Sequence, residues 1–338
     1  MLNEKILLAG DIGGTKTHIA LFAGEEQLQT PLKEKIYKSA QYTCLEQILK
    51  EFLSTEKHKI DYCCLGIAGP VLEGRSSITN LPWHLDEIIL QEKLGIKRVK
   101  LINDLAATAY GIPLIADEDL HTIQEGRKNV MGTKAVIAPG TGLGEAFLMP
   151  HGKNEFIAYD SEGGHVDFAP TDHIQIRLLQ FMLEEKKLDH VSYEYICSGK
   201  GLPNIYEFLK YDGMEEQEFV SKKLAEADDP TPIIVNTALG KDYDCPLCKE
   251  TLNIFISVLG AEAGNLALKT MAFGGVYIGG GIIPRIIDAV DSDTFRKAFL
   301  NKGRSSDMLA SVPVHVILNQ QTALLGAAKA ARELSISA

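Results

Sequence analysis

Cysteine, membrane-length apolar runs and surplus positive charge are all scarce in this chain of 338 residues, and each shortage removes a class of function. Six cysteines are too few for a disulfide scaffold and point to a reducing compartment. Cys245 and Cys248 form a lone CxxC, at most half of a tetrahedral zinc site, with no Cys/His pair at matching spacing nearby; they read as helix-embedded bystanders. Cys63-Cys64 falls in an apolar run and reads as core. No apolar run approaches the roughly 20 residues that span a bilayer. The segment Met1-Leu2-Asn3-Glu4-Lys5 leads straight into a strand-like stretch without the pattern of a secretory leader, so a cytoplasmic protein with no membrane partner is expected. With 34 Lys and Arg against 45 Asp and Glu, the net charge is −11, which argues against a nucleic-acid binder because phosphate backbones reward clustered bases. A nucleotide substrate is not excluded, since backbone N–H groups and a metal hold it rather than bulk charge.

What is present is a folded α/β pattern. Hydrophobic residues make up 45% and charged residues 23%, and the length suits two domains with a core each. Ile6 to Ala9 is a short apolar run that ends in Gly10-Asp11-Ile12-Gly13-Gly14-Thr15, and Thr17 to Phe22 returns as a second strand, giving a hairpin. Leu45, Ile48, Leu49, Phe52 and Leu53 stand at helical spacing. Strands are expected at Tyr62–Ala68 and Arg98–Ile102, the latter running through Asn103-Asp104 into a helix. A similar order then restarts, with Ala135–Ala138, the turn Pro139-Gly140-Thr141-Gly142-Leu143-Gly144, and Ala146–Met149. This weak internal repeat suggests two related α/β domains. Long helices are expected at 174–188 and 248–271, a surface helix with a loop in the acidic stretch 211–231, and a strand ending in Gly279-Gly280-Gly281.

The glycine turns fit neither common nucleotide motif. Counted from Gly10, the sixth position of a Walker A loop is Thr15 rather than Gly. A GxGxxG fingerprint would open a helix, whereas a strand follows Gly10 to Thr15, and Gly140-Thr141-Gly142 has Glu145 at the required glycine. Two glycine hairpins still suit phosphate, because glycine lets backbone N–H groups approach closely, threonine hydroxyls add donors, and Asp11 could hold Mg²⁺ directly or through water. Asp104 can be read as a helix N-cap or as a functional carboxylate at a strand end, and the residues alone leave both open. Glu162-Gly163-Gly164-His165 is either a plain turn or a carboxylate and imidazole set for hydroxyl recognition. Glu194, by itself, is a solvated side chain.

Taken together, GDIGGTKT at 10–17, ITNLPW at 78–83, LINDLAATA at 101–109, PGTGLG at 139–144, SEGGHVDFAP at 161–170, HVSYE at 190–194, SGKGLPNIY at 198–206 and GGVYIGGGIIPR at 274–285 resemble the bacterial glucokinase family. The resemblance implies a two-domain actin-like ATPase (ribonuclease H-like) α/β fold with the active site in the interdomain cleft. It implies a small domain over 1–115, with the C-terminal helix 318–338 packing back on it, and a large domain over 116–317. It also implies ATP and Mg²⁺ as cofactors, glucose as substrate, and a homodimer. Carried over position by position, it makes Asp104 the catalytic base and places Asn103, Glu162, His165 and Glu194 on sugar hydroxyls. Gly10, Asp11, Ile12, Gly13, Gly14, Thr15, Gly140, Thr141 and Gly142 would hold the ATP phosphates, with Mg²⁺ at Asp11, and Gly279, Gly280 and Gly281 would lie beside the adenosine. Lys16 and Lys200 fall where the family is not uniform and receive no role, and 211–246 matches no family motif. Kinases for other hexoses or amino sugars remain as alternatives, as does a non-catalytic sugar-binding regulator. A regulator would want a basic helix-turn-helix ahead of the first hairpin, and the related kinases with a zinc motif would want a Cys/His cluster after His165.

Overall fold

The computed structural model describes residues 5–24, 28–78, 81–127, 129–152, 155–240 and 244–336. Thr79 and Asn80 of the ITNLPW segment, residues 1–4 of the N-terminal stretch, 241–243 of the unmatched segment and 337–338 of the C-terminal helix lie outside them. The chain forms two compact units: 1–120 with 146–160 and 319–338, and 121–145 with 161–318. Relative to the boundaries expected from sequence, this division moves 116–120 and 146–160 to the first unit and 318 to the second; 146–160 forms most of a hairpin whose strands carry no boundary signal of their own.

In the first unit the chain runs β1 (Ile6–Ile12), β2 (Lys16–Ala23), β3 (Lys33–Lys38), α1 (Leu45–Leu53), β4 (Ile60–Ile67), β5 (Arg75–Ser77), β6 (His84–Asp86), α2 (Glu87–Leu94), β7 (Arg98–Asn103) and α3 (Asp104–Gly111). The sheet order is β3-β2-β1-β4-β7; β1 pairs antiparallel with β2 and parallel with β4, and β4 parallel with β7. Ile6, Leu7, Leu8 and Ala9 are all buried, and because successive strand side chains point to opposite faces, both faces of the sheet are covered. Ile6, Leu8, Ile19 and Leu65 join the α1 residues Leu45, Ile48, Leu49 and Phe52 and the single tryptophan, Trp83, in one core cluster. The C-terminal helix, numbered α12 (Thr322–Ile336), packs on α3, β1 and β4. The α3–α12 crossing is close enough that a Cβ on Gly326 would collide with the carbonyl oxygen of Ala107, so the helix bearing Asp104 is seated by small residues on both partners.

The second unit's chain runs through β8 (Leu120–Gln124), β9 (Lys134–Pro139), β10 (Leu143–His151), β11 (Glu155–Ser161), α4 (His173–Glu184), α5 (Gly201–Tyr211), α6 (Glu218–Ala225), α7 (Thr231–Leu239), α8 (Pro246–Thr270), β12 (Gly275–Ile278), α9 (Ile287–Val290), α10 (Asp293–Leu300), α11 (Ser306–Ala310) and β13 (Val314–Ile317), with most of β10 and β11 falling in the 146–160 segment. Its sheet order is β11-β10-β9-β12-β13-β8, with β12 parallel to both β9 and β13. A hairpin, a third strand outside it and then parallel strands reproduce the order of the first sheet, which is the physical content of the internal repeat. Helix α8 is long and apolar enough to span a membrane by length and composition, yet 78% of its apolar window is buried within the fold, so it is a core helix. Cys245 is not inside that helix: it caps it, its sulfur accepting from the Cys248 N–H at 3.4 Å. The Cys63 and Cys64 side chains are buried as expected of core residues.

Replacing Gly326 by Val is expected to overpack the α3–α12 crossing and cost about 1–3 kcal/mol. Urea denaturation followed by circular dichroism measures it, and an unchanged midpoint would mean that the two helices can part without penalty.

Candidate active site

The parallel strands of each unit end in the candidate residues, which is where open α/β sheets build their sites. In the first unit Asp11 of β1 is level with Gly66 of β4, and Ile67 of β4 is level with Asn103 of β7, so the first glycine turn and the Asn103-Asp104 step leave the sheet at neighbouring strand ends. The turn is closed from inside by the Gly13 N–H donating to the Lys16 carbonyl at 2.9 Å and the Ser39 hydroxyl donating to the Gly13 carbonyl at 2.7 Å. Gly13 thereby shapes the turn. Burial holds the Asp11 carboxyl above its ordinary value, with Lys16 and His18 pulling the other way.

The capping question at α3 is resolved one residue early. Asn103 is the N-cap, its Oδ1 accepting from the Leu105 N–H at 2.8 Å and the Ala106 N–H at 3.2 Å, while its Nδ2 donates to the Gly69 carbonyl at 3.2 Å. Its amide oxygen is therefore committed to the helix, and what it can offer a ligand is the second amide hydrogen. Asp104 is the first helical residue, and its Oδ1 accepts from the Leu105 N–H at 2.9 Å.

In the second unit, β9 turns back through Gly140–Gly142 into neighbouring β10, and β12, the other neighbour of β9, ends at the triple glycine. The Gly140 N–H donates to the Gly142 carbonyl at 2.8 Å and so closes its own turn. Two further bonds clasp that turn. The Gly199 N–H donates to the Gly140 carbonyl at 2.8 Å, and the Leu143 N–H donates to Oε2 of Glu194 at 2.9 Å. Glu194, a solvated side chain when read alone, is thus a partly buried carboxylate pressed against Gly142.

Glu162 and His165 flank a single helical turn, with side chains 66% and 57% exposed and 3.8 Å apart, so both present polar groups to solvent from a fixed base. That base requires its glycines: a Cβ on Gly164 would collide with the Leu143 carbonyl oxygen. The Tyr193 N–H donates to the Val166 carbonyl at 3.1 Å and the Phe168 N–H to the Val191 carbonyl at 2.9 Å, which brings the 162–168 and 190–194 segments side by side.

A cavity of about 740 Å³ opens beside Gly140 and Thr141. Its apolar wall comes from Pro203, Pro230, Val235 and Ile282, and its polar groups include Lys200, Asn236 and Arg285. Of the triple glycine only Gly281 lines it; Gly279 and Gly280 pack on Ala138 and Pro139 of β9 instead. The 229–236 stretch was invisible to motif reasoning. Its one local signal is the Asp229-Pro230 step that starts α7, where the Asp229 carboxylate accepts from the Thr231 N–H at 3.0 Å. The Thr231 hydroxyl then donates to the Gly199 carbonyl at 2.6 Å and ties this wall to the clasp.

The glucokinase family pattern matches residues 8–334. A glucokinase of Nostoc punctiforme is 39% identical over 342 residues, covering 97% of this chain and 99% of the relative. The crystal structure of a glucokinase from an Antarctic psychrotroph is 30% identical and superposes with a TM-score of 0.82 over 97% of this chain and 99% of that one. A Balamuthia mandrillaris glucokinase crystallised with glucose shares the fold at 22% identity, with a TM-score of 0.77 over 97% of this chain and 94% of that one.

Removing the Glu194 carboxylate unlatches Leu143; with the 140–142 turn holding phosphate, as the resemblance implies, Glu194→Ala is expected to raise KM for nucleotide by roughly tenfold, the weight of a hydrogen bond to a charged group. Glu194→Gln, whose amide oxygen can still accept from the Leu143 N–H, is expected to recover most of that loss. Equal KM values for the two variants in steady-state kinetics would show that the latch does not shape the turn.

Proposed function

Because the chain belongs to the glucokinase family, we propose that it transfers the γ-phosphoryl group of ATP to the 6-hydroxyl of glucose, giving ADP and glucose 6-phosphate. The observation that carries this reading is the clasp of Glu194 on the 140–142 turn, which joins a carboxylate suited to sugar hydroxyls to a turn suited to phosphate. In this proposal Asp104 accepts a hydrogen bond from the sugar 6-OH and takes its proton as that oxygen attacks the γ-phosphorus in line. Phosphoryl transfer passes through a loose transition state, so a weak base suffices and positioning dominates. Glu162, His165, Glu194 and the spare amide hydrogen of Asn103 orient the remaining hydroxyls, each of which both donates and accepts.

The turns at 10–15 and 140–142 cradle the phosphates, Gly13 and Gly140 shaping them and the other N–H groups and threonine hydroxyls facing the nucleotide. The cavity beside Thr141 takes the nucleoside, with proline and aliphatic walls for a flat base and Asn236 for its polar edge. Among the described residues no group of three or more His, Cys, Asp or Glu forms a metal cage. Asp11 fits Mg²⁺ instead, which takes one or two carboxylates and fills its other positions with water and substrate phosphate. When bound, that ion would neutralise charge on the phosphate oxygens. The family reading also carries a cytoplasmic homodimer, whose oligomeric state light scattering after gel filtration tests.

A coupled assay with MgATP against glucose, mannose, fructose, glucosamine, N-acetylglucosamine and N-acetylmannosamine tests the substrate. Turnover with glucose is expected to dominate, and a clear preference for another sugar would replace it. Asp104→Asn is expected to lower kcat by roughly 10²–10⁴ while glucose affinity stays within a few-fold. A near-normal kcat would remove Asp104 from the role of base.

A further inference from the structure

Directly beneath the 162–165 turn the second unit buries two carboxyl groups against one another. Glu145 on β10 is 2% exposed and Glu262 on α8 is 0% exposed. Glu145 lies so close under the turn that a Cβ on Gly163 would strike its Oε2, and the Ser161 hydroxyl donates to its backbone carbonyl at 3.4 Å. Among the described residues its Oε1 makes no hydrogen bond. The Glu262 carboxyl is near enough both to repel a charge on Glu145 and to accept a hydrogen bond from its protonated form. The partners are unequally shared. Glu262 accepts from Asn265 Nδ2 at 2.8 Å and from Lys269 Nζ at 3.2 Å, and the same Asn265 Nδ2 lies 3.0 Å from the hydroxyl of Tyr193, one residue before Glu194. Glu262 thus has donors that the Glu145 Oε1 lacks, and Glu145 is the member of the pair left to carry a proton.

We propose that Glu145 and Glu262 share a single proton beneath the sugar-facing turn, and that this proton holds the turn in place, making Glu145 a positioning residue for sugar binding. A protonated Glu145 satisfies its orphaned oxygen by donating to Glu262 and leaves Gly163 undisturbed. Loss of the proton sets two buried carboxylates against each other, and the side that can yield is the exposed turn carrying Glu162 and His165. The proposal rests on the reading of that turn as sugar-binding.

The groups around the pair are Lys269 from α8, Tyr193 and Cys197 from the neighbouring segment and Lys302 after α10, with Glu162 and His165 on the exposed turn. Burial, with the Glu262 charge, lifts Glu145 to about 8. Burial also pushes up Tyr193 and Cys197, so neither titrates in the same window. Lys134, brought down to about 8 by burial, does titrate there, but it stands at the far end of β9 from Gly140 and stays in both proteins compared below. The folded chain keeps a proton on Glu145 that the unfolded chain has lost above the ordinary glutamate value near 4.5, so its contribution to stability declines as pH rises toward about 8 and is flat beyond.

Three measurements on the full-length enzyme separate the parts. First, Tm of the wild type minus that of Glu145→Gln is expected to fall steadily between about pH 5 and 8; a flat difference overturns the shared proton. Second, wild-type KM for glucose is expected to rise several-fold from about pH 7 to 9.5 with KM for ATP and kcat little changed, while Glu145→Gln, a neutral isostere, keeps the low value throughout. An alkaline rise that survives in Glu145→Gln, or no rise in the wild type, overturns the coupling to the turn. Third, calorimetry of glucose binding to the wild type in buffers of different ionisation enthalpy near pH 8.5 needs no variant; proton uptake is expected, and none overturns the proposal even if Glu145→Gln fails to fold. Glu162→Gln with unchanged glucose affinity would instead sink the sugar-binding reading of the turn, whatever the proton does.

Discussion

The hydrogen bond from the Leu143 N–H to the Glu194 carboxylate is the contact on which the arrangement of the second unit's candidate residues depends. A charge-assisted bond of this kind contributes about 1.5–3 kcal/mol, enough to keep one arrangement dominant. The Ser198 hydroxyl donates to the Glu194 carbonyl at 2.7 Å and the Gly199 N–H to the Gly140 carbonyl at 2.8 Å, so the 194–199 segment grips the glycine turn at two points. Strand β10, beginning at Leu143, supplies the carbonyl on which Gly164 sits. One short stretch of chain therefore fixes the 140–142 turn, the exposed Glu162 and His165, and Glu194 itself. None of these can shift far without disturbing the others.

Why two similar sheets serve such different ends follows from what covers them. In the first unit the sheet is enclosed by α1, α3 and α12, and its strand ends present Asp11, Asn103 and Asp104. In the second, α8 runs 25 residues through the core and carries an ionisable residue, Glu262, to a depth with no exposure. A buried carboxylate needs partners, and Asn265 and Lys269, three and seven residues further along the same helix, provide them. The polar network under the 162–165 turn is a consequence of where that helix passes.

The local part of this architecture was legible in the sequence. The α1 residues Leu45, Ile48, Leu49 and Phe52 fall on the buried face that their spacing predicts, and the glycine turns follow strands because apolar runs end there. The glucokinase resemblance read from eight ordered segments agrees with the family match over 8–334. What escaped depends on contacts distant in sequence. Nothing near Glu145 announces that Glu262 will face it, and nothing in the 229–236 stretch announces a cavity wall, because Pro230 and Val235 acquire that role only through Gly199 and Ile282. The capping ambiguity at Asp104 was a matter of one residue: strand β7 extends through Asn103, whose short amide reaches back to the helix amides and leaves Asp104 as the first helical residue.

That displacement bears on the proposed role of Asp104 as base. With Asn103 in the N-cap post, Asp104 shares the Leu105 N–H with it, and its charge complements the N-terminal end of the α3 dipole. The seat of α3 is itself rigid, since α12 crosses it with glycine against backbone and β4 packs alongside. For a reaction whose transition state asks little of the base and much of alignment, a carboxylate on the first turn of a tightly packed helix is better placed than a more basic one on a mobile loop. The same logic explains why the second unit's candidate residues stand on clasped glycine turns: in both units the sequence spends its constraints on holding groups still.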